Sequence, residues 1–300
     1  MLSYQHAYHA GNFADVQKHL TLFAVADYLL RKKSAITYVD SHAGRGLYPL
    51  ATKETQRLQE YREGIAPLWQ AQQQLSDPLL SRWLTALNSA QPNADVLSHY
   101  PGSPWWLAKA LRDHDQLRLF ELHPGEHEHL SGQTLPKQAR RVYGDGLQGL
   151  KQLVPVATPR MCVLVDPSYE RKAEYQEVVD AVAYTLEKVR HAVLMIWYPL
   201  LPAGHHETLL SGLEASGIRK IWHSELLLRA AGESAHGMYG SGMVVINPPW
   251  GLDEQLAAAM SQVTPLLGSD SHYRAKWLVG EWWRRVAAAS GGDYLPMQNV

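Results

Sequence analysis

The chain holds one cysteine, Cys162, in 300 residues. A lone thiol builds neither a disulfide framework nor a cysteine-based zinc site, and it suits a reducing compartment. Net charge is equally scarce. Lys and Arg number 28 against 29 Asp and Glu, leaving −1, so no global basic field draws the chain to nucleic acid and any such site must be a local patch. Long hydrophobic runs are absent too. The longest near-apolar stretch, residues 192–203, contains Pro199 and Pro202 and is too short to span a bilayer. Met1-Leu2-Ser3-Tyr4-Gln5-His6 has no basic region followed by an apolar one, so no export is expected and the expected location is cytoplasmic. Phe occurs three times against ten Trp and 15 Tyr. Those amphipathic rings can fill a core or stack on bases.

What is present is apolar mass. A hydrophobic share of 46% with 19% charge excludes intrinsic disorder. The length allows two small domains or one large α/β domain. Apolar residues at helical spacing predict a helix over 14–30, closed by Arg31-Lys32-Lys33, whose charge suits its dipole. A short strand over 36–39 follows and ends at Asp40. From 52 to 93 Gln, Leu, Trp and Arg dominate, with Leu58, Tyr61, Ile65, Leu68, Trp69, Trp83, Leu84 and Leu87 at helical spacing, which predicts a helical insertion. Strands are then expected over 117–120, 141–143, 161–165, 193–197, 221–228 and 243–246, with helices that include 175–189 and 207–215. Repeated strand–helix alternation predicts one α/β domain over 1–300. Its sheet is expected to be parallel with helices on both faces, the insertion falling between the first and second strands.

In open α/β sheets ligands bind beyond the carboxyl ends of the strands. Asp40, Glu121, Asp145, Asp166 and Tyr198 stand at those ends. The turn after Asp40, His42-Ala43-Gly44-Arg45-Gly46, lets backbone approach a ligand. The run Gly44-Arg45-Gly46-Leu47-Tyr48-Pro49 lacks the third glycine of a dinucleotide fold, and the Lys-Ser/Thr of a phosphate loop is also missing. A ligand with ribose and adenine but no phosphate fits better, namely S-adenosylmethionine. Glu121 would accept from the ribose hydroxyls and Asp145 from the adenine amino group.

Asp166-Pro167-Ser168-Tyr169 resembles the Asp/Asn-Pro-Pro-aromatic motif of amino-group methyltransferases that act on nucleic acids. The amine of adenine is a poor nucleophile because its lone pair is delocalised into the ring. Two acceptors, the Asp166 carboxylate and the Pro167 carbonyl, would take its two N–H groups and free that lone pair. Tyr169 would stack on the extruded base. Asn247-Pro248-Pro249-Trp250 matches the pattern better. It follows what reads as the last strand, so it is expected to be a turn at a sheet edge.

Tyr4, the run His9-Ala10-Gly11-Asn12-Phe13-Ala14-Asp15 with Lys18-His19, Asp40-Ser41-His42-Ala43-Gly44, Tyr100-Pro101-Gly102-Ser103-Pro104, Glu121-Leu122-His123-Pro124, Asp145-Gly146 and Ser216-Gly217-Ile218-Arg219-Lys220 together resemble the RlmJ family. The resemblance runs from Met1 to about Trp250. It implies a class I S-adenosylmethionine-dependent methyltransferase sheet, Rossmann-like, with a small helical insertion, and methylation of an adenine N6 in 23S ribosomal RNA. It implies cofactor contacts at His19, His42, Ser103, Glu121, Asp145 and Gly146, with Lys18 meeting the methionine carboxylate. It also implies a catalytic Asp166, with Tyr4 on the target-base side. Ser168 departs from the family, where a second proline is usual, so the loop loses one fixed φ.

Other features carry plainer expectations. His123, Glu126, His127 and His129 read as a solvated helix start rather than a metal site. His205 and His206 read as loop, and Cys162 as a buried core thiol. Arg171 and Lys172, directly after the Asp166 loop, are the leading candidates for RNA phosphate contacts, ahead of Arg31-Lys32-Lys33, Arg140-Arg141, Arg219-Lys220 and Arg284-Arg285. Trp282 and Trp283 read as helix packing. The expected partner is an RNA hairpin of 23S rRNA, the expected state a monomer, and neither membrane nor metal is expected. The alternative function is a non-catalytic nucleic-acid-binding protein for the use of external DNA. Cofactor binding separates the two.

Overall fold

A computed structural model describes residues 4–229 and 237–281. A 3-10 turn (His6–Tyr8) leads into α1 (Phe13–Leu30) and β1 (Ile36–Asp40). The short strand β2 (Leu47–Pro49) opens the insertion, which holds α2 (Lys53–Leu58), a 3-10 turn (Glu60–Glu63), α3 (Ile65–Ala71) and α4 (Pro78–Asn88). The strand β3 (His99–Pro101) closes it. Helices and strands then alternate: α5 (Ser103–Ala110), β4 (Gln116–Glu121), α6 (Pro124–Ser131), β5 (Ala139–Tyr143), α7 (Gly146–Leu153), β6 (Arg160–Val165), α8 (Glu174–Lys188), β7 (Val193–Leu200), α9 (His206–Ala215) and β8 (Ile221–Leu227). β9 (Gly240–Ile246), α10 (Leu252–Leu267) and β10 (His272–Val279) complete the described elements.

Eight strands form one sheet in the order β10-β8-β9-β7-β6-β1-β4-β5. The pairs β5/β4, β4/β1, β1/β6 and β6/β7 are parallel. Their strands are short apolar runs, and β1 is buried at all five positions, as expected of strands covered on both faces. The all-parallel expectation fails at the other end. β9 slots between β7 and β8 antiparallel to both, and β10 pairs antiparallel with β8. Among the described residues no crossover helix separates β8 from β9, and the two pair as antiparallel neighbours. β10 escaped the sequence because Arg274 and Lys276 interrupt its apolar pattern, most of its residues being exposed at the sheet edge.

The insertion lies between β1 and β4, as expected, and two further features tie it down. β2 and β3, for which the sequence predicts no strand, pair antiparallel with Tyr48 opposite Tyr100. Leu68, Trp69, Leu80, Trp83 and Leu87 share one core with Leu20 and Val25 of α1 and Leu256 and Met260 of α10. Over residues 13–22 α1 is therefore covered on all sides. A helix so placed is normally apolar throughout, yet Asp15, Gln17, Lys18 and His19 are all buried on it.

Candidate active site

A cavity of about 560 Å³ opens at the carboxyl ends of β6, β1, β4 and β5 and is lined by Asp166, Glu121 and Asp145. Parallel neighbours end at the same edge, which is why acids far apart in sequence converge. Asp40 does not line it. Its carboxyl is fully buried, pushed up to about 7 by desolvation, and held by Ser103 and the His42 N–H. Asp40 thus supports the turn from below.

The side expected to hold cofactor is built by short polar turns. The Glu121 carboxylate accepts the Gly44 N–H at 2.8 Å and the His123 N–H at 2.7 Å, which orients it toward the cavity. Burial lifts its pKa, and those N–H groups oppose the rise. Asp145 caps α7, its Oδ1 accepting from Leu147 and Gln148 at 2.9 and 3.0 Å. Gly146 packs backbone to backbone: a Cβ there would sit 1.8 Å from the Ser41 carbonyl oxygen, so no other residue fits without moving the turn. His42 meets the Ser41 hydroxyl at 2.8 Å, and desolvation pushes its imidazole down to about 4. His19 pairs with the Tyr100 hydroxyl at 2.8 Å and is pushed down to about 3. Both rings are therefore neutral at pH 7. Ser103, at the start of α5, also lines this wall.

On the opposite side Lys18 stands between two carboxylates. Its Nζ is 2.6 Å from Asp166 Oδ2 and 3.0 Å from Asp15 Oδ1. Burial alone would lower this ammonium, but the two carboxylates reverse that and hold its pKa above the ordinary value. Burial lifts the Asp166 carboxyl, and Lys18 limits the rise. For Asp15 burial is likewise outweighed: His6, Lys18 and His19 hold its carboxyl well below the usual range. Asp15 Oδ2 also accepts the Gly11 N–H at 2.8 Å and meets His6 Nε2 at 2.9 Å. His6 Nδ1 in turn meets the Tyr4 hydroxyl at 2.9 Å. The Tyr4 ring stacks on His9 at 5.6 Å, and His9 Nδ1 lies 3.0 Å from Glu60 of the insertion. Asp15 and His6 received no role from the sequence. The signal available was the run of polar residues on an otherwise apolar helix.

Several expectations are corrected here. Tyr169 does not face the cavity. Its backbone is left-handed with φ 53°, which turns the ring into the core. There it stacks on Tyr175 at 4.2 Å and its hydroxyl donates to the Trp197 carbonyl. Pro167 and Ser168 do line the cavity, together with Trp197. Arg171 is not a free cation. Its guanidinium is clamped by Glu177, with contacts at 3.0 and 2.6 Å, and meets Glu174 at 3.3 Å. Lys172 is exposed. Tyr198 is not at a strand end, because β7 runs on to Leu200. Its hydroxyl donates to the buried Glu225 at 2.9 Å.

The helix start at His123 is not simply solvated: Glu126 is buried in a two-point ion pair with Arg45. His206 opens α9 and stacks on Tyr198. Arg141 donates to the carbonyls of Leu130 and Gln133, and Lys220 pairs with Glu281. Cys162 is the expected core thiol, pushed up to about 12 by burial. Arg284, Arg285, Trp282 and Trp283 lie outside the described residues. Among the described residues no three His, Cys, Asp or Glu side chains are placed to share a metal, and no helix is long and apolar enough to cross a membrane.

Asn247 follows an interior strand, not the expected sheet edge, and lies at the opposite end of the strands from the cavity. β9 runs against β7, so Ile246 pairs with Leu194 near the start of that strand. The Asn247 amide donates to the carbonyls of Arg190 and Ala192 at 3.0 and 2.9 Å. It locks a turn and faces no cavity side chain.

Residues 33–279 match the family model described as ribosomal RNA large subunit methyltransferase D, RlmJ. The chain is 37% identical over 290 residues to ribosomal RNA large subunit methyltransferase J of Escherichia coli K12, covering 94% of this chain and 100% of that protein. It is 36% identical over 283 residues to the protein of the same name from Haemophilus influenzae, covering 94% and 99%. A crystal structure from Legionella pneumophila superposes with a TM-score of 0.83 at 34% identity, covering 90% of this chain and 98% of that one.

Proposed function

The chain belongs to the ribosomal RNA large subunit methyltransferase J family, and from that premise we propose that it methylates the N6 of an adenine in 23S rRNA. It is an S-adenosylmethionine-dependent methyltransferase. The cavity suits that cofactor by its donor set: a fixed Glu121 carboxylate for ribose hydroxyls, the second Asp145 oxygen for the adenine amine, and the side-chain-free Gly146 turn between them. His19, His42 and Ser103 close this wall, and Lys18 would meet the methionine carboxylate. When bound, the cofactor supplies a methyl on a sulfonium centre. The protein's part is to present the amine. Asp166 Oδ1 takes one N–H while Lys18 pins Oδ2, and the Pro167 carbonyl takes the other. The nitrogen then turns its lone pair out of the ring plane. The lifted pKa of Asp166 suits it to receive the proton that the amine sheds. Tyr4 borders the target base.

The observation that carries this reading is the Lys18-pinned Asp166 carboxylate at 2.6 Å, in the same cavity as Glu121 and Asp145. An RNA hairpin as the recognised segment, a monomeric protein and a cytoplasmic location belong to the same reading. The test is methyl transfer from labelled cofactor to total rRNA of a strain lacking the enzyme, with the product mapped. A single N6-methyladenine in 23S rRNA is expected. Label on another base, or none, would overturn the reading.

A further inference from the structure

With Tyr169 turned into the core, the target side of the cavity needs another flat face, and β7 supplies one. Side chains alternate along a strand. Trp197 and Pro199 line the cavity, whereas Tyr198 and Leu200 are buried in the core behind the sheet. The half-buried indole is held in place, its Nε1 donating to Ser241 Oγ on β9 at 2.9 Å. Its backbone carbonyl takes the Tyr169 hydroxyl at 2.8 Å, and the two rings are 6.2 Å apart. Lys18 Nζ lies 5.8 Å from the Trp197 ring centroid and 2.6 Å from Asp166 Oδ2. Indole face and amine acceptor thus share one ammonium as a common neighbour, so a base whose amine reaches Asp166 passes beside the indole.

Resting on the methyl-transfer reading above, we infer that Trp197 carries the face on which the extruded adenine stacks, with Tyr169 as a buttress behind it. The ring chemistry fits a purine: a broad π-face is sequence-tolerant, while Asp166 and Pro167 read the amine. The motif aromatic supports the base-contacting aromatic instead of touching the base.

The test compares wild type, W197F and W197L as full chains. Three quantities are read: methyl transfer to unmodified large-subunit rRNA, cofactor affinity by calorimetry, and fluorescence of 2-aminopurine riboside titrated with the S-adenosylhomocysteine-loaded protein. One stacked base is worth enough that W197L should lose about tenfold or more in kcat/KM for RNA, with cofactor affinity unchanged. W197F should keep most of the activity, since it keeps a ring. Wild type should quench the riboside and W197L should not. Normal turnover by W197L, or equal quenching by it, overturns the inference. Should W197L fail to fold, W197F decides: loss of RNA turnover and of quenching with cofactor binding intact overturns it. Wild type that leaves rRNA unmethylated overturns the functional reading instead, and the riboside signal still settles the role of Trp197.

Discussion

Asp166 and Asn247 each end a buried apolar strand and each open a proline turn, and the two turns lie at opposite ends of the strands of one sheet. β6 runs parallel to β1 and β4, so Asp166 arrives at the end where Glu121 and Asp145 already stand. β9 runs antiparallel to β7, so Asn247 is delivered to the far end. The side chains then do different work. Asp166 is pinned by Lys18 beside a cavity, while Asn247 spends its amide on two backbone carbonyls. The better match to a four-residue pattern is the structural one. Strand direction decides which turn can do chemistry, and a short motif does not encode direction.

The difference can be sharpened by loosening one turn at a time. Asp15→Asn should have the largest effect on stability. It breaks a buried ionic cluster, at a cost of about 3–5 kcal/mol. The folded pKa of Asp15 lies below its unfolded value. Its contribution is therefore fully present above the unfolded pKa and fades as pH falls through the folded one. Urea unfolding at pH 7 should show a larger loss than at acid pH, and an equal loss at both would argue against the cluster. Glu121→Ala should weaken S-adenosylmethionine binding by about 1–3 kcal/mol in calorimetry. Unchanged affinity would remove Glu121 from the site.

Activity should also report the state of Asp166. Its pKa is lifted, chiefly by burial, and only the ionised form can take up the proton that the amine sheds. Methyl transfer should therefore fall with decreasing pH through a value above the ordinary carboxylate range, and an acid limb at an unperturbed carboxylate pKa would contradict the assignment. Ser168→Pro is the mildest change and makes the Asp166 turn more like the Asn247 turn. A ring that fits the existing backbone should add about 0.4–1 kcal/mol of stability and leave turnover in place. Loss of turnover would show that the loop needs the freedom of Ser168.

The acids at the strand ends were legible because each follows a short apolar run, and parallel strands bring such ends together by geometry alone. The insertion was legible from its helical spacing, although the β2–β3 ladder closing it was hidden in glycine and proline turns. The face of Tyr169 was not legible, since it hangs on one backbone angle, the positive φ that turns the ring inward. Nor was the cluster of Asp15 with Lys18 and Asp166. Lys18 and Asp166 are 148 positions apart, and nothing local to either residue announces the other. The pairing of Arg171 with Glu174 and Glu177, three and six positions on, was not anticipated either.

The central claim is that chemistry resides at Asp166 and not at Asn247. Single-turnover methyl transfer to unmodified 23S rRNA by Asp166→Ala and Asn247→Ala, each loaded with cofactor, tests it most directly. Asp166→Ala should bind cofactor normally and lose about a hundredfold or more in rate. Asn247→Ala should transfer methyl at close to the wild-type rate and lose only stability, about 1–3 kcal/mol, from its two stranded carbonyls. Near-normal transfer by Asp166→Ala, with transfer abolished in a folded Asn247→Ala, would contradict the account.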